Sequence, residues 1–220
     1  MPSVEITKAN SEFLNRPVLD IIKWAVAQAK GRAIVSTNFR PYEAVILHLC
    51  TQVQAGIPVL WVDHGYNRAA TYKHAEHLKS LLKLNLKAYL PKMTSAHYDA
   101  VCGGMPEPSP ENEERIKAFS AAMKLEPFQR GMKELAPTVW ITALRKIQNP
   151  NRAGLDIVSE DSNFGTLKVS PVFYWSDGDM EAYLKKHNLP NEWDYFDPAK
   201  ADDKRECGLH VEWGGTAVNR

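Results

Sequence analysis

The sequence predicts an α/β fold: a mostly parallel, twisted sheet with helices on both faces. Short apolar runs at 33–36, 57–62 and 84–90 alternate with helical patterns at 42–55 and 69–82. Strand and helix in alternation signify a parallel sheet covered on both sides. The 220 residues suit a single such domain with a full core. The composition, 44% hydrophobic and 24% charged, is that of an ordinary globular protein. Residues 1–220 therefore read as one domain, with 200–220 as a mobile C-terminal tail, since chain ends are poorly ordered unless docked.

Each element has its own signal. Phe13, Leu14, Val18, Ile21, Ile22, Ala25, Val26 and Ala29 recur at helical spacing, predicting one helix over 10–30 that Gly31 ends. Ala33–Ser36 is a buried strand. Pro41 then opens a helix over 42–55, where its missing N–H costs nothing. Ile57–Val62 is the next strand, and Asp63-His64-Gly65-Tyr66 its turn. A helix over 69–82 leads to the alternating strand Leu84–Leu90. Gly103, Gly104, Pro106, Pro108 and Pro110 make 93–111 a loop. Helices follow at 111–123 and 127–136, then a strand over Thr138–Thr142. Residues 144–152 are too polar and proline-broken for core. A hairpin about Asn163-Phe164-Gly165 fills 155–175, and Asp177 or Asp179 caps a helix over 179–187. From Leu189 to Lys204 the chain is aromatic, acidic and irregular.

Several function classes are excluded by bulk properties. A net charge of +1 gives no general bias toward nucleic acid or membrane, although local cations can bind a small polyanion. No apolar run reaches the length of a membrane span, and Met1-Pro2-Ser3-Val4-Glu5 lacks the pattern of a secretion signal. Three cysteines without a CxxC pair argue for a reducing compartment, with cytoplasm as the expectation, and against a thiolate metal site. His74 and His77 share a helix face but have no further ligand at metal spacing, so no metal is expected.

Ligands in parallel sheets sit beyond the carboxyl ends of the strands, so the turns at 36–41 and 63–68 face one crevice. In the first turn, backbone N–H groups with the hydroxyls of Ser36 and Thr37 can hold an anion; an ordinary helix cap fits the same residues. Asp63 at a strand end can bind a sugar hydroxyl or a base edge, or serve only the turn. Lys124, Arg145 and Arg152 are candidate anion ligands if they converge on one crevice; a solvated face fits each of them alone. Cys50 reads as a core residue and Cys102 as a loop residue. Cys207 stands among charges in Lys204-Arg205-Glu206-Cys207-Gly208-Leu209-His210. Adjacent cations raise the thiolate fraction of such a cysteine.

The run Arg205-Glu206-Cys207-Gly208-Leu209-His210 resembles the C-terminal signature of the assimilatory sulfonucleotide reductases, which act on phosphoadenylyl sulfate (PAPS) or adenylyl sulfate (APS). Other matches fall in chain order. Ser36-Thr37-Asn38-Phe39-Arg40 occupies the place of the family's Ser-Ser-Ser-Phe-Gly loop, and Asp63-His64-Gly65-Tyr66 that of Asp-Thr-Gly-Tyr, with Thr71 and Glu76 beyond. Lys124-Leu125-Glu126-Pro127 is similar to Lys-Val-Glu-Pro. Ala143-Leu144-Arg145-Lys146-Ile147-Gln148 through Arg152 is similar to Gly-Leu-Arg-Arg-x-Gln and its following Arg. Lys168-Val169-Ser170-Pro171 and Trp175 also match.

The resemblance implies an adenine-nucleotide alpha hydrolase-like (PP-loop) architecture and a thiol-dependent reductase. Cys207 would be the nucleophile, forming an S-sulfocysteine, with His210 beside it. Ser36, Thr37, Asn38, Arg40, Asp63, Gly65, Lys124, Arg145, Arg152, Lys204 and Arg205 would bind the substrate. Thioredoxin or glutaredoxin would be the reductant, and a homodimer is the family's common state. Phe119 and Ser120 stand where the APS reductases carry a cysteine pair, so no iron–sulfur cluster is expected. That favours the cluster-free PAPS branch, with a cluster-free APS reductase as the alternative. Two further departures, Arg40 for the loop glycine and a short 193–204 segment, keep two other readings open. One is a relative acting on ATP or another adenylylated substrate. The other is a nucleotide-binding module without catalysis.

Overall fold

The computed structural model describes residues 5–107, 109–152 and 154–197. Cys207, His210, Lys204 and Arg205, and the tail assigned to 200–220, lie outside the described residues. Six strands form one sheet in the order β3-β2-β1-β4-β6-β5. They are β1 (Ala33–Thr37), β2 (Pro58–Val62), β3 (Asn85–Tyr89), β4 (Val139–Ile141), β5 (Val158–Asp161) and β6 (Thr166–Val169). All neighbours pair in parallel except β5, which turns back antiparallel on β6. The predicted parallel α/β sheet is the one observed. The strand order reverses at β1, which lies between β2 and β4, and this is the place where such sheets open a crevice.

Two apolar layers flank the sheet. Val35, Val59, Ile141 and Val169 face one layer, which takes in α2 (Val18–Ala29), α3 (Glu43–Val53), α4 (Ala69–Leu81) and α8 (Asp177–Lys186). Ile34, Leu60, Val62 and Trp140 face the other, against Phe128 and Met132 of α7 (Glu126–Leu135). Successive side chains of a strand point to opposite faces. Strands covered on both sides therefore read as continuous apolar runs.

Several expectations need correction. The helix expected over 10–30 is two, α1 (Ile6–Phe13) and α2, because Pro17 donates no backbone hydrogen bond and takes the N-cap of the second. Pro41 does not open α3; Tyr42, in a left-handed conformation, precedes a start at Glu43. The supposed loop 93–111 contains α5 (Ser95–Cys102), whose start is closed by Thr94 accepting from the His97 backbone N–H. The glycines and prolines taken as breakers lie after it. The two helices expected over 111–136 are α6 (Glu113–Ser120) and α7, joined by a wide π turn at Ala121–Leu125. The strand expected through Tyr174 ends at Val169, and the turns beyond bury Val172 and Phe173. Ser176 caps α8, accepting from Asp179 N while the Asp179 carboxylate accepts from Ser176 N.

The stretch 144–152, judged too polar for core, is partly inside, with Lys146, Ile147, Pro150 and Asn151 left exposed. Leu144, Arg145, Asn149 and Arg152 are all buried. Burial of such groups calls for partners to their polar atoms, and two short 3-10 turns with their side-chain bonds supply most of these, leaving Arg145 Nε without one.

α7 lies close on the sheet at Gly131. A Cβ there would stand 2.8 Å from Leu60 Cδ1 and 3.0 Å from the Tyr89 ring. Gly131→Ala is expected to destabilise: overpacking costs about 1–3 kcal/mol, and the better helix propensity of Ala returns only about 1 kcal/mol. A lowered urea midpoint with unchanged slope is the expected result.

Candidate active-site crevice

The crevice opens at the carboxyl ends of β1, β2 and β4. Ser36, Thr37 and Asn38 come from the end of β1, His64 from beyond β2, and Thr142 to Leu144 from beyond β4. Lys124, on the π turn, and Arg40 and Arg152 bring positive charge; Glu43, Tyr195 and Asp197 complete the polar wall. π turns within helices occur often at functional sites.

The β1 turn is shaped by a carboxylate of the chain itself. Glu43, 6% exposed, accepts at Oε2 from Thr37 Oγ1 at 2.6 Å, Asn38 N at 2.8 Å and Phe39 N at 3.1 Å. Thr37 Oγ1 in turn accepts from Phe39 N at 3.0 Å, and Phe39 takes a left-handed φ of 56°. The Asn38 amide nitrogen faces Glu43 at 3.0 Å, and its oxygen accepts from the Tyr195 hydroxyl at 2.7 Å. Arg40 Nε stands 3.2 Å from Glu43 Oε1, an ion contact without hydrogen-bond geometry. The sequence reading expected these amides to be able to hold an anion. The one they hold here is internal. Ser36 Oγ accepts from Trp140 Nε1 at 2.8 Å.

Gln148 draws the cations together. Its Oε1 accepts from Arg152 Nη1 at 2.6 Å, Arg40 Nη2 at 3.1 Å and the Arg145 backbone N–H at 3.1 Å. Arg145 itself is aimed elsewhere. Its guanidinium donates to Asp177 at 2.7 Å and to Trp175 O at 3.3 Å, and lies over the Tyr42 ring. It does not line the crevice. Lys124 Nζ donates to both oxygens of Asp197, at 2.6 and 2.9 Å, with both residues buried.

The β2 turn presents its middle, not its first, residue to the crevice. Asp63 Oδ1 accepts from Tyr72 Oη at 2.7 Å, Gly65 N at 3.0 Å and Asn67 Nδ2 at 3.2 Å. Burial and that bond push the Tyr72 hydroxyl up to about 12. Gly65 has a φ of 78°, and a Cβ there would meet Ser95 Oγ at 3.0 Å. Both residues hold the turn. His64, between them, lines the crevice and is 6% exposed. Its Nδ1 accepts from Tyr66 N at 3.1 Å, so the neutral ring carries its proton on Nε2. Burial first, and then the charge of Lys124, lower its pKa from 6.5 to about 4.

Ser36, Thr37, Asn38, Arg40, Lys124 and Arg152 are thus brought to one place, while Asp63, Gly65 and Arg145 support it from outside. Glu43, His64, Gln148, Tyr195 and Asp197 were missed. The acidic residue in the first turn of α3 was the available signal for Glu43, and the imidazole in the strand-end turn that for His64. Phe119, at one of the two positions that resemble a cysteine pair, packs its ring on Tyr66 and Tyr98 at 5.4 Å each. With Phe119 and Ser120, these positions offer no thiolate for a cluster. Among the described residues no three His, Cys, Asp or Glu are grouped to hold a metal, and no helix is long and apolar enough to cross a membrane.

Together the reversal of strand order and the cationic crevice at that point define an open α/β fold with its ligand crevice at the switch point, suited to an anion. Residues 32–193 match the model of the phosphoadenosine phosphosulfate reductase domain. The chain belongs to that family. The phosphoadenosine 5′-phosphosulfate reductase of Synechococcus sp. is 32% identical over 236 aligned positions, covering 96% of this chain and 100% of that one. The like-named protein of Vibrio campbellii is 31% identical, over 96% of this chain and 88% of its own. A crystal structure of phosphoadenylyl-sulfate reductase from Candida auris superposes with a TM-score of 0.74 at 20% identity, covering 87% of this chain and 91% of that one. FMN adenylyltransferase from Candida glabrata shares the fold at a TM-score of 0.55 and 12% identity, over 83% of this chain and 64% of its own.

His64 makes an acid-side prediction. The unfolded chain takes up this proton as pH falls below 6.5, the folded chain only near 4. The folded state therefore loses stability as pH falls through that window. His64→Gln is expected to flatten the stability slope between these values, by up to about 3 kcal/mol at its acid end. Urea titrations across the window measure it, and an unchanged slope would contradict the assignment.

Proposed function

We propose that the chain reduces PAPS to sulfite and adenosine 3′,5′-bisphosphate, with Cys207 as nucleophile. What carries this reading is the convergence of Arg40, Lys124 and Arg152 on one crevice at the β1 switch point, in a chain that spans the whole of a like-named relative. Guanidinium and ammonium groups in a recessed site suit the sulfate and phosphates of such a nucleotide. Ser36, Thr37 and Asn38 border the crevice on the β1 side, and Asp63 and Gly65 shape the turn that delivers His64.

The Cys207 thiolate attacks the sulfur of the bound sulfonate. The bond from sulfur to the bridging phosphate oxygen breaks, the bisphosphate leaves with that electron pair, and Cys207 becomes S-sulfocysteine. A dithiol of thioredoxin or glutaredoxin type then attacks the Cys207 sulfur. Sulfite leaves, the transient mixed disulfide resolves within the reductant, and the Cys207 thiolate returns. Lys204 and Arg205 favour the thiolate, and His210 stands beside it in sequence. The protein needs no cluster of its own in this scheme, in keeping with Phe119 and Ser120.

Cys207→Ser is expected to abolish sulfite release while leaving PAPS affinity within about twofold, a change of under about 1 kcal/mol. Assays on PAPS and APS in parallel, with and without thioredoxin, measure it. Undiminished turnover would remove Cys207 from the mechanism. ATP turnover with PAPS untouched would replace the reading by an adenylyl-transfer one.

A further inference from the structure

Asp197 sets a problem for any anion that is to reach Lys124. Lys124 is 6% exposed and Asp197 8%, and both carboxylate oxygens lie within hydrogen-bond distance of Nζ. A buried carboxylate in this position repels an incoming phosphate or sulfate and takes the donors such a group needs. Losing one partner of a buried pair is costly unless another anion replaces it. Exchange of one anion for another is the inexpensive route.

The segment bearing Asp197 is placed for such an exchange. Residues 190–197 contain neither helix nor strand, and Tyr195 and Asp197 among them line the crevice. Side-chain contacts fasten them to the β1 turn and to α4. Asn191 Oδ1 accepts from Tyr42 N at 2.8 Å, and the Trp193 ring meets that of Tyr42 edge-on at 5.3 Å. Asp194 pairs with Arg68, whose guanidinium also lies over Phe196 at 5.8 Å. Tyr195 donates to the Asn38 amide oxygen at 2.7 Å. Trp193 is 64% exposed and the Arg68–Asp194 pair is half exposed, and exposed contacts of this kind contribute little. Lys124–Asp197 is the buried one among them.

We infer that Asp197 holds the place of the substrate's anion on Lys124. Binding of PAPS passes Lys124 Nζ from the Asp197 carboxylate to a sulfate or phosphate oxygen and lifts 191–197 from the β1 turn. Asp197 is then a positioning residue that sets substrate affinity. It keeps Lys124 aimed into the crevice while no substrate is present. This rests on Lys124 being a substrate ligand.

The test is calorimetric titration of PAPS into the full-length chain carrying Cys207→Ser, so that no turnover occurs. In that background Lys124→Ala should weaken PAPS by about tenfold or more, and Asp197→Asn should tighten it by about tenfold, each tenfold step being about 1.4 kcal/mol. Unchanged or weaker PAPS binding in Asp197→Asn, with Lys124→Ala still defective, overturns the exchange and leaves the proposed function standing. Unchanged binding in Lys124→Ala overturns both the exchange and the role of Lys124. A second measurement needs no change at Asp197, should that variant fail to fold. Hydrogen exchange over 191–197 in the Cys207→Ser chain should rise when PAPS is added, while 36–40 becomes protected. Slower or unchanged exchange over 191–197 overturns the exchange of partners.

Discussion

The site depends on one buried carboxylate. Glu43 gathers the Thr37 hydroxyl, two backbone N–H groups and the Asn38 amide onto its two oxygens. A carboxylate that accepts several bonds is strongly held. The turn after β1 has no glycine, yet Phe39 sits at positive φ. Such a conformation in a bulky residue persists only where its surroundings over-determine it. The Glu43 bonds from one side and the packing of the Phe39 ring on Trp61 from the other supply that constraint. The loop is therefore preformed, and Ser36, Asn38 and Arg40 reach the crevice from a fixed backbone.

A second constraint explains how two guanidiniums share so small a space. Gln148 is neutral, and its single oxygen joins Arg40, Arg152 and the backbone of Arg145. A carboxylate there would bind the guanidiniums more tightly, but it would cancel the charge that an anionic ligand needs. An amide oxygen orders the pair and leaves the charge in place. Arg145, one position into the same polar stretch, has the opposite arrangement. Asp177 neutralises it, and it serves to fasten the turn to the start of α8.

Much of this could be read from the residues alone. The sheet and its carboxyl-end crevice followed from period and alternation, because strands covered on both faces leave long apolar runs. The β1 turn, Lys124 and Arg152 were legible as candidates because they carry the chemistry an anion requires. What was not legible depends on direction in space. Nothing in Leu144-Arg145-Lys146 says that Arg145 turns toward Asp177, thirty-two residues later. The polar stretch 144–152 was read as surface because its many donors seemed impossible to bury. Arg145 and Arg152 are nevertheless buried, because acceptors meet their donors: Asp177 and Trp175 O for the first, Gln148 Oε1 and Arg145 O for the second. Proline and glycine misled in both directions: Pro17 splits a helix the periodicity joined, and the cluster after 102 hid the helix before it. Glu43 and Asp197 were passed over because a search for anion ligands looks for cations.

Those two carboxylates are what make the cationic crevice tolerable. Arg40, Lys124 and Arg152 brought together in a poorly solvated recess repel one another, and each loses hydration. Glu43 and Asp197 offset two of the three charges in the crevice wall. They do so differently. Glu43 is bound to backbone amides of its own loop and cannot leave without undoing the turn. Asp197 is bound to a side chain, from a segment without regular structure. The first is therefore part of the scaffold in every state, and the second is the carboxylate that a ligand of higher charge can displace. A site built this way balances its own charge and still responds to a polyanion, because the counter-charge it gives up lies on the more weakly fastened segment.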